Sequence, residues 1–253
     1  MDLNDISVTV LTRNGERHLK EVLSALVPFG EVIIYDTESS DRTLEIARRF
    51  ENAYVVHAPF IGYGPTHNMA TASTNNDWVL SINGNELVSE ELVKALSEAT
   101  LDPLAVYSFP RLNYYNGKLI KWCGWHPDRK IKLYNKQQTR FTDDTVHESV
   151  MTTGMRIVAF QAPIRRTPYH SMDDFLQKMQ SYSSLYAEQN RGRKNSSLPR
   201  AWSRSVGAFL RSYFLKGGIL GGYEGFVISA FQAHMTYYKY LKLHEVNKKL
   251  CLK

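Results

Sequence analysis

Four short apolar runs separated by three helical patterns fill about the first eighty residues, and that strict alternation constrains the fold more than any other feature of the chain. Ile6-Ser7-Val8-Thr9-Val10-Leu11 alternates and is rich in β-branched residues, as a strand requires. Val32-Ile33-Ile34-Tyr35 is continuous and apolar, the mark of a strand covered on both faces. Ala53-Tyr54-Val55-Val56-His57 and Trp78-Val79-Leu80-Ser81-Ile82 supply two more. Between them, Leu19, Val22, Leu23 and Leu26 recur on one helical face before Pro28 and Gly30. Leu44, Ala47 and Phe50 form a second face, and Gly62-Tyr63-Gly64-Pro65 opens a third helix that reaches about Ser73. Such alternation implies right-handed crossovers and a parallel sheet. Sheets of this kind bind ligands outside the carboxyl ends of their strands. The chemistry is therefore expected around Asn83-Gly84-Asn85-Glu86, the polar turn after the fourth run.

Two familiar phosphate-binding signatures are missing: no GxGxxG follows the first strand, and GxxxxGK[ST] occurs nowhere. The first strand instead ends in Thr12-Arg13-Asn14-Gly15-Glu16 and the second in Asp36. A carboxylate past a strand end accepts from a base imide or a ribose hydroxyl, while Thr and Asn add neutral donors; a plain turn with a helix cap at Asp36 and Ser39 is the alternative. Cys123 and Cys251 lie far apart without CxxC spacing, which excludes a disulfide framework or a zinc site of that type and fits a reducing compartment. The first residues carry no basic and apolar leader pattern, and no run of eighteen uncharged apolar residues occurs, so neither a signal peptide nor a spanning helix is expected. Charge is uneven: residues 1–164 carry a net −4 and residues 165–253 a net +10. The basic third calls for an acidic partner, either nucleic acid or an anionic membrane face.

Several segments, in this order and spacing, resemble family 2 glycosyltransferases of the GT-A fold, more narrowly the lipopolysaccharide core glucosyltransferases of the bacterial inner membrane. They are Thr12-Arg13-Asn14-Gly15-Glu16-Arg17, Asp36 to Thr43, Gly62-Tyr63-Gly64-Pro65-Thr66-His67-Asn68, Trp78 to Glu86, Arg111-Leu112-Asn113-Tyr114, Gly124-Trp125-His126-Pro127-Asp128, Val146-His147-Glu148 and Tyr169-His170-Ser171. The resemblance implies an α/β fold of GT-A (Rossmann-like) type, a mostly parallel sheet flanked by helices with a C-terminal helical extension. It implies inverting transfer of a hexose, glucose from UDP-glucose, onto a heptose of the lipid-linked inner core. Thr12, Asn14, Glu16, Asp36, Ser39, Asn83 and Asn85 would hold the donor, and His67 stands where relatives have a Lys near the diphosphate. Relatives carry Asp-x-Asp-Glu at the turn and bind Mg²⁺ or Mn²⁺ through it. This chain has two neutral amides instead, so Asn85 and His147 are the remaining metal ligands, and weaker binding, a metal-free mechanism and an inactive site all stay open.

An inverting transfer needs a carboxylate to deprotonate the acceptor hydroxyl. Asp128, after an aromatic segment suited to a sugar face, is the preferred base, with Glu86 as the other catalytic candidate. Trp125 and Glu148 are expected to touch the acceptor. From Ser171, a helix N-cap followed by Asp173 and Asp174, the pattern turns helical. Farther on, Arg200, Arg204 and Arg211 share one helical face opposite Trp202, Val206, Phe209 and Tyr213, as in helices that lie in the plane of an anionic membrane. The expected division is a transferase domain over residues 1–168 and a basic helical extension over 169–253. The expected location is cytoplasmic and peripheral on the inner membrane. Two other readings compete: a catalytically impaired or regulatory relative that binds sugar nucleotide or core oligosaccharide, and a nucleic-acid-binding protein using the basic tail. The acidic first two thirds argue against the latter.

Overall fold

A computed structural model describes the backbone of residues 1–251 and the side chains of residues 1–249. The chain divides into two compact units, one of Met1–Leu112 with Asp128–Arg166, the other of Asn113–Pro127 with Thr167–Lys253. Residues 113–127 therefore group with the C-terminal helices rather than with the sequence around them, a division that local patterning does not reveal.

In the first unit the expected alternation is realised: β1 (Ile6–Thr12), α1 (Leu19–Ala25), β2 (Glu31–Asp36), α2 (Thr43–Ala47), β3 (Ala53–His57), α3 (Tyr63–Ala72) and β4 (Trp78–Asn83). β1 pairs in parallel with both β2 and β4, and β2 with β3. Every residue of β1 and β2 is buried, as strands covered on both faces are. Glu31 and Asp36 are the charged exceptions, both in β2; the Glu31 carboxylate accepts from the Asn75 backbone N–H at 2.9 Å, and from Ser7 and the Asn75 side chain. Beyond β4 the sheet changes character. After β5 (Glu86–Val88), α4 (Glu90–Glu98) and β6 (Ala105–Tyr115) come β7 (Lys118–Leu119), β8 (Arg129–Asn135), β9 (Arg156–Ala159) and β10 (Ile164–Arg166). β8 runs antiparallel to both β4 and β6, and β10 antiparallel to β5, so the parallel half continues into an antiparallel one. The sheet is mixed, with a strand order β3-β2-β1-β4-β8-β6-β10-β5.

The second unit holds α5 (Met172–Gln189), α6 (Leu198–Leu210) and α7 (Gly222–Cys251). Ser171 caps α5 as expected, in a reciprocal capping box with Asp174. Its core gathers Tyr115, Ile120, Cys123, Tyr169, Phe175, Val227 and Ile228. Trp125 packs against this cluster and stacks on Tyr169 at 5.9 Å between ring centroids, so the ring expected to meet a sugar is engaged in packing. The glycines after α6 permit close approach: a Cβ on Gly225 would lie 1.8 Å from the Gly218 carbonyl oxygen. The apolar face assigned to α6 from its sequence needs correcting. Phe209 and Tyr213 are half-buried beside Phe226, whereas Trp202 and Val206 are exposed. Among the described residues no helix is long and apolar enough to cross a membrane.

Candidate active site

Register places the candidate donor residues side by side. Thr12 is the parallel partner of Asp36, and Leu11 of Asn83, so the ends of β2, β1 and β4 form one edge. Asp36 is fully buried and accepts from the Ser39 backbone N–H at 3.1 Å and from the Ser39 hydroxyl. His57, at the end of β3, approaches the same carboxylate at 2.8 Å, a partner that the sequence alone did not suggest. The loops after β1 and β2 are laced together. The Asn14 backbone N–H donates to the Ser39 hydroxyl at 2.8 Å, the Asn14 side-chain oxygen accepts from Ser40 at 2.8 Å, and Glu16 accepts from the Arg42 backbone at 3.2 Å. Asn14, Glu16 and Ser39 thus build the walls of this edge. Thr12 differs from them: its hydroxyl is buried and has no partner among the described residues. A Cβ on Gly84 would lie 2.8 Å from that hydroxyl, so only glycine lets the turn pass so close. An unsatisfied buried hydroxyl costs about 1–3 kcal/mol unless a ligand completes it.

The turn itself rests on Glu86. Glu86 is fully buried; it accepts from the Asn83 backbone N–H at 2.9 Å, from Lys132 Nζ at 2.6 Å and from Arg111 Nη1 at 3.0 Å, with Arg166 Nε at 3.9 Å. The sheet creates this cluster: β10 sets Arg166 directly opposite Glu86, and β8 and β6 bring in Lys132 and Arg111. Burial alone would raise the Glu86 pKa, but Lys132, Arg111 and Arg166 overcome it and hold the carboxyl well below the usual range. Burial lowers the Lys132 pKa against the pull of Glu86. A carboxylate so enclosed, with no exposure and three cations around it, neither reaches an acceptor nor takes its proton. Glu86 is a positioning group, and its assignment as a catalytic base is corrected. Arg111 also grips Asp128 through two hydrogen bonds, Nε to Oδ2 and Nη2 to Oδ1, both 3.0 Å. The Asp128 side chain keeps 19% exposure, which separates it from Glu86.

His67 is corrected as well. It is 2% exposed, stacks on Phe141 at 4.5 Å and pairs with the Ser81 hydroxyl at 3.1 Å. Burial, with Lys132 adding to it, pushes its pKa down to about 3, so the ring is neutral at pH 7 and brings no charge to a phosphate. The signal was available, because Gly64, His67, Ala70 and Thr71 share the inward face of α3.

The N-terminus of α3 also anchors the segment that carries His147 and Glu148. Tyr63 and Gly64 donate backbone N–H bonds to the carbonyls of Thr145 and Asp144 at 3.1 and 3.0 Å, and a Cβ on Gly64 would fall 1.9 Å from the Thr142 carbonyl oxygen. His147 is exposed with a positive φ of 70°. Glu148 is half-buried and has no ion pair within 4 Å among the described residues; burial raises its pKa against nearby Lys132 and Lys130. The donor chemistry suits a dication poorly. Asn83 and Asn85 are neutral, Glu86 is enclosed by cations, and no group of three or more His, Cys, Asp or Glu among the described residues could hold a metal ion. Arg111, Lys132 and Arg166 were the residues left without a role by the sequence, although a Lys inside the apolar run Ile131 to Tyr134 is itself a sign of a buried acid.

A profile described as "Glycosyl transferase family 2" matches residues 7–162, more than half of the chain. An uncharacterized glycosyltransferase of Rickettsia typhi is 27% identical over 262 residues, spanning 98% of this chain and 89% of that protein. The lipopolysaccharide core biosynthesis glycosyltransferase LpsC of Rhizobium meliloti is 24% identical over 237 residues, covering 88% of this chain and 85% of LpsC. Among solved structures, the mannosyltransferase PcManGT of Pyrobaculum calidifontis, bound to GDP-Man and Mn²⁺, superposes with a TM-score of 0.55 at 13% identity, covering 94% of this chain and 86% of that one. With a mixed sheet of this topology and a profile match across nearly the whole first unit, the chain belongs to glycosyl transferase family 2 and is a glycosyltransferase of the GT-A fold.

Proposed function

We propose that this glycosyltransferase is an inverting enzyme that moves glucose from UDP-glucose onto an inner-core heptose of lipopolysaccharide or lipooligosaccharide, peripherally at the cytoplasmic face of the inner membrane. The observation that carries donor binding is the buried Thr12 hydroxyl, without a partner among the described residues, in register with the Asp36 carboxylate and closed over by Gly84. A nucleoside supplies the missing partners, since its ribose hydroxyls and base edge donate to a carboxylate and exchange hydrogen bonds with a hydroxyl. Likeness to LpsC supports the lipopolysaccharide core as the acceptor class.

In this reaction the acceptor hydroxyl attacks the anomeric carbon on the face opposite the nucleotide. The bond from that carbon to the β-phosphate oxygen breaks as the glycosidic bond forms, UDP leaves, and Asp128 takes the hydroxyl proton. Arg111 holds both carboxylate oxygens of Asp128 and so fixes the orientation in which the base meets the acceptor. Glu148 binds a further acceptor hydroxyl. Charge on the leaving diphosphate is met by fixed cations: Arg111, Lys132 and Arg166 outnumber Glu86 and Asp128 by one. Such prearranged charge needs no reorganisation as the leaving group develops, and a divalent ion is not required.

A panel of sugar nucleotides offered with a truncated lipooligosaccharide acceptor, with and without chelator, tests the reading. The expected result is transfer from UDP-glucose with inverted anomeric configuration and no loss of rate on chelation. Transfer from a different donor alone would overturn the glucose assignment, and abolition by chelator would overturn the metal-free mechanism. UDP binding without any product would favour a catalytically impaired sugar-nucleotide binder, for which the neutral Asn83-Gly84-Asn85 turn is the supporting observation.

A further inference from the structure

Helix α6 is inside out for a helix that faces water. The side it packs on α7 is small and polar: Ala201 and Ser205 are buried, and the Ser205 hydroxyl donates to the Ala233 carbonyl at 2.9 Å. Two residues past the helix end, Ser212 pairs with Ser229 at 2.8 Å. The large apolar side chains point the other way. Trp202, Val206, Leu210 and Phe214, four residues apart, are 65%, 40%, 47% and 55% exposed, and Leu215 and Leu220 in the turn that follows are 83% and 80% exposed. A water-facing helix places its apolar stripe against the core and its small polar residues outside. Here that order is reversed over a continuous apolar patch, and such patches mark interaction surfaces.

Charge identifies the occupant. From Gln189 to Tyr223 the chain contains seven Lys or Arg and no Asp or Glu. Arg200, Arg204, Arg211 and Lys216 are exposed alongside the apolar ridge. A second copy of the chain would set two such rims against each other, because a two-fold interface uses the same patch on both sides. An anionic bilayer satisfies both halves of the surface, taking the apolar ridge among its acyl chains and the guanidinium groups among its headgroup phosphates. A spanning arrangement is not available to any described helix.

We infer that α6 and the turn after it form an in-plane docking surface for anionic membrane lipid. The inference stands on the second unit alone; it gives the peripheral location proposed above a specific surface, and binding to vesicles is measured without turnover, so either reading can fail without the other.

The test is flotation of the full chain with vesicles of neutral phosphatidylcholine and with vesicles that also contain phosphatidylglycerol. Binding is expected to the anionic vesicles and to be weak on the neutral ones, with Trp202 quenched by brominated acyl chains. The triple variant Arg200→Gln, Arg204→Gln, Arg211→Gln is expected to bind anionic vesicles about a hundredfold more weakly. Trp202→Ser with Leu215→Ser and Leu220→Ser is expected to lose binding and quenching together. All six side chains are exposed, and an unchanged melting temperature confirms that each variant is folded. Absence of binding to both vesicle types, binding unaffected by either variant, a dimer dissolved by the apolar variant, or salt-steep binding to RNA in place of vesicles would each overturn the inference.

Discussion

If His67 is a neutral core residue rather than a phosphate contact, acid should reveal it. The folded state keeps the imidazole unprotonated down to about pH 3, whereas the unfolded chain takes up a proton near the ordinary imidazole value of 6.5. Because the folded pKa is depressed, the stability that goes with it is fully present above pH 6.5 and is lost as pH falls toward 3. Each pH unit in that window removes about 1.4 kcal/mol. Near pH 4.5 the wild type should therefore have lost about 2.7 kcal/mol through this one group. The variant His67→Gln carries no such proton. At neutral pH it should be less stable by about 1–3 kcal/mol, having lost the stack on Phe141 and the geometry toward Ser81. The gap between the two proteins should close as the medium is acidified and then reverse. Guanidinium unfolding of both, near pH 7.5 and near pH 4.5, measures that difference, and the imidazole nitrogen shifts report its protonation directly. A gap that stays constant, or an imidazole that titrates near its ordinary value, would refute the buried-core reading and return His67 to the phosphate site.

Glu86→Gln removes the carboxylate shared by Lys132, Arg111 and Arg166, and should destabilise the fold by about 3–5 kcal/mol in thermal or chemical denaturation; a variant as stable as wild type that had lost only turnover would reinstate Glu86 as a base. Gly64→Ala drives a methyl into the Thr142 carbonyl oxygen and should cost about 1–3 kcal/mol in stability, read as a lower melting temperature, because either α3 or the segment carrying His147 must shift. Asp128→Asn should reduce kcat about 10²- to 10⁴-fold while leaving UDP affinity nearly unchanged, and Glu148→Gln should act mainly on the KM for acceptor. The reverse split would exchange the roles of these two carboxylates.

What the sequence made legible was local. The strands β1, β2 and β4 follow from runs of Val and Ile, and the alternation with helices fixes their parallel order, so Thr12, Asp36 and Asn83 meeting at one edge follows from pattern alone. The capping box at Ser171 is equally local. What escaped was set by partners distant in sequence. Glu86 lies 25 residues from Arg111 and 46 from Lys132, and only the antiparallel half of the sheet brings them together, so its acidic character suggested a base when burial made it a scaffold. His67 was misread because its place in a motif outweighed the periodicity of its own helix. For α6, the amphipathic pattern defines two faces but does not say which one packs, and the small residues Ala201 and Ser205 took the interior. Trp125 joined a core assembled from residues before and after it, in a unit whose segments are not contiguous.

The central claim, that the edge formed by β1, β2 and β4 receives a sugar nucleotide, meets its most direct test in calorimetric titration of UDP onto the wild type and Thr12→Val. The substitution keeps the shape and deletes a buried hydroxyl that has no partner among the described residues, so the unliganded variant should be at least as stable as wild type. UDP should nevertheless bind about tenfold more weakly, the loss of one ligand hydrogen bond. Equal affinity in the two proteins, with both folded, would contradict the placement of the donor at this edge.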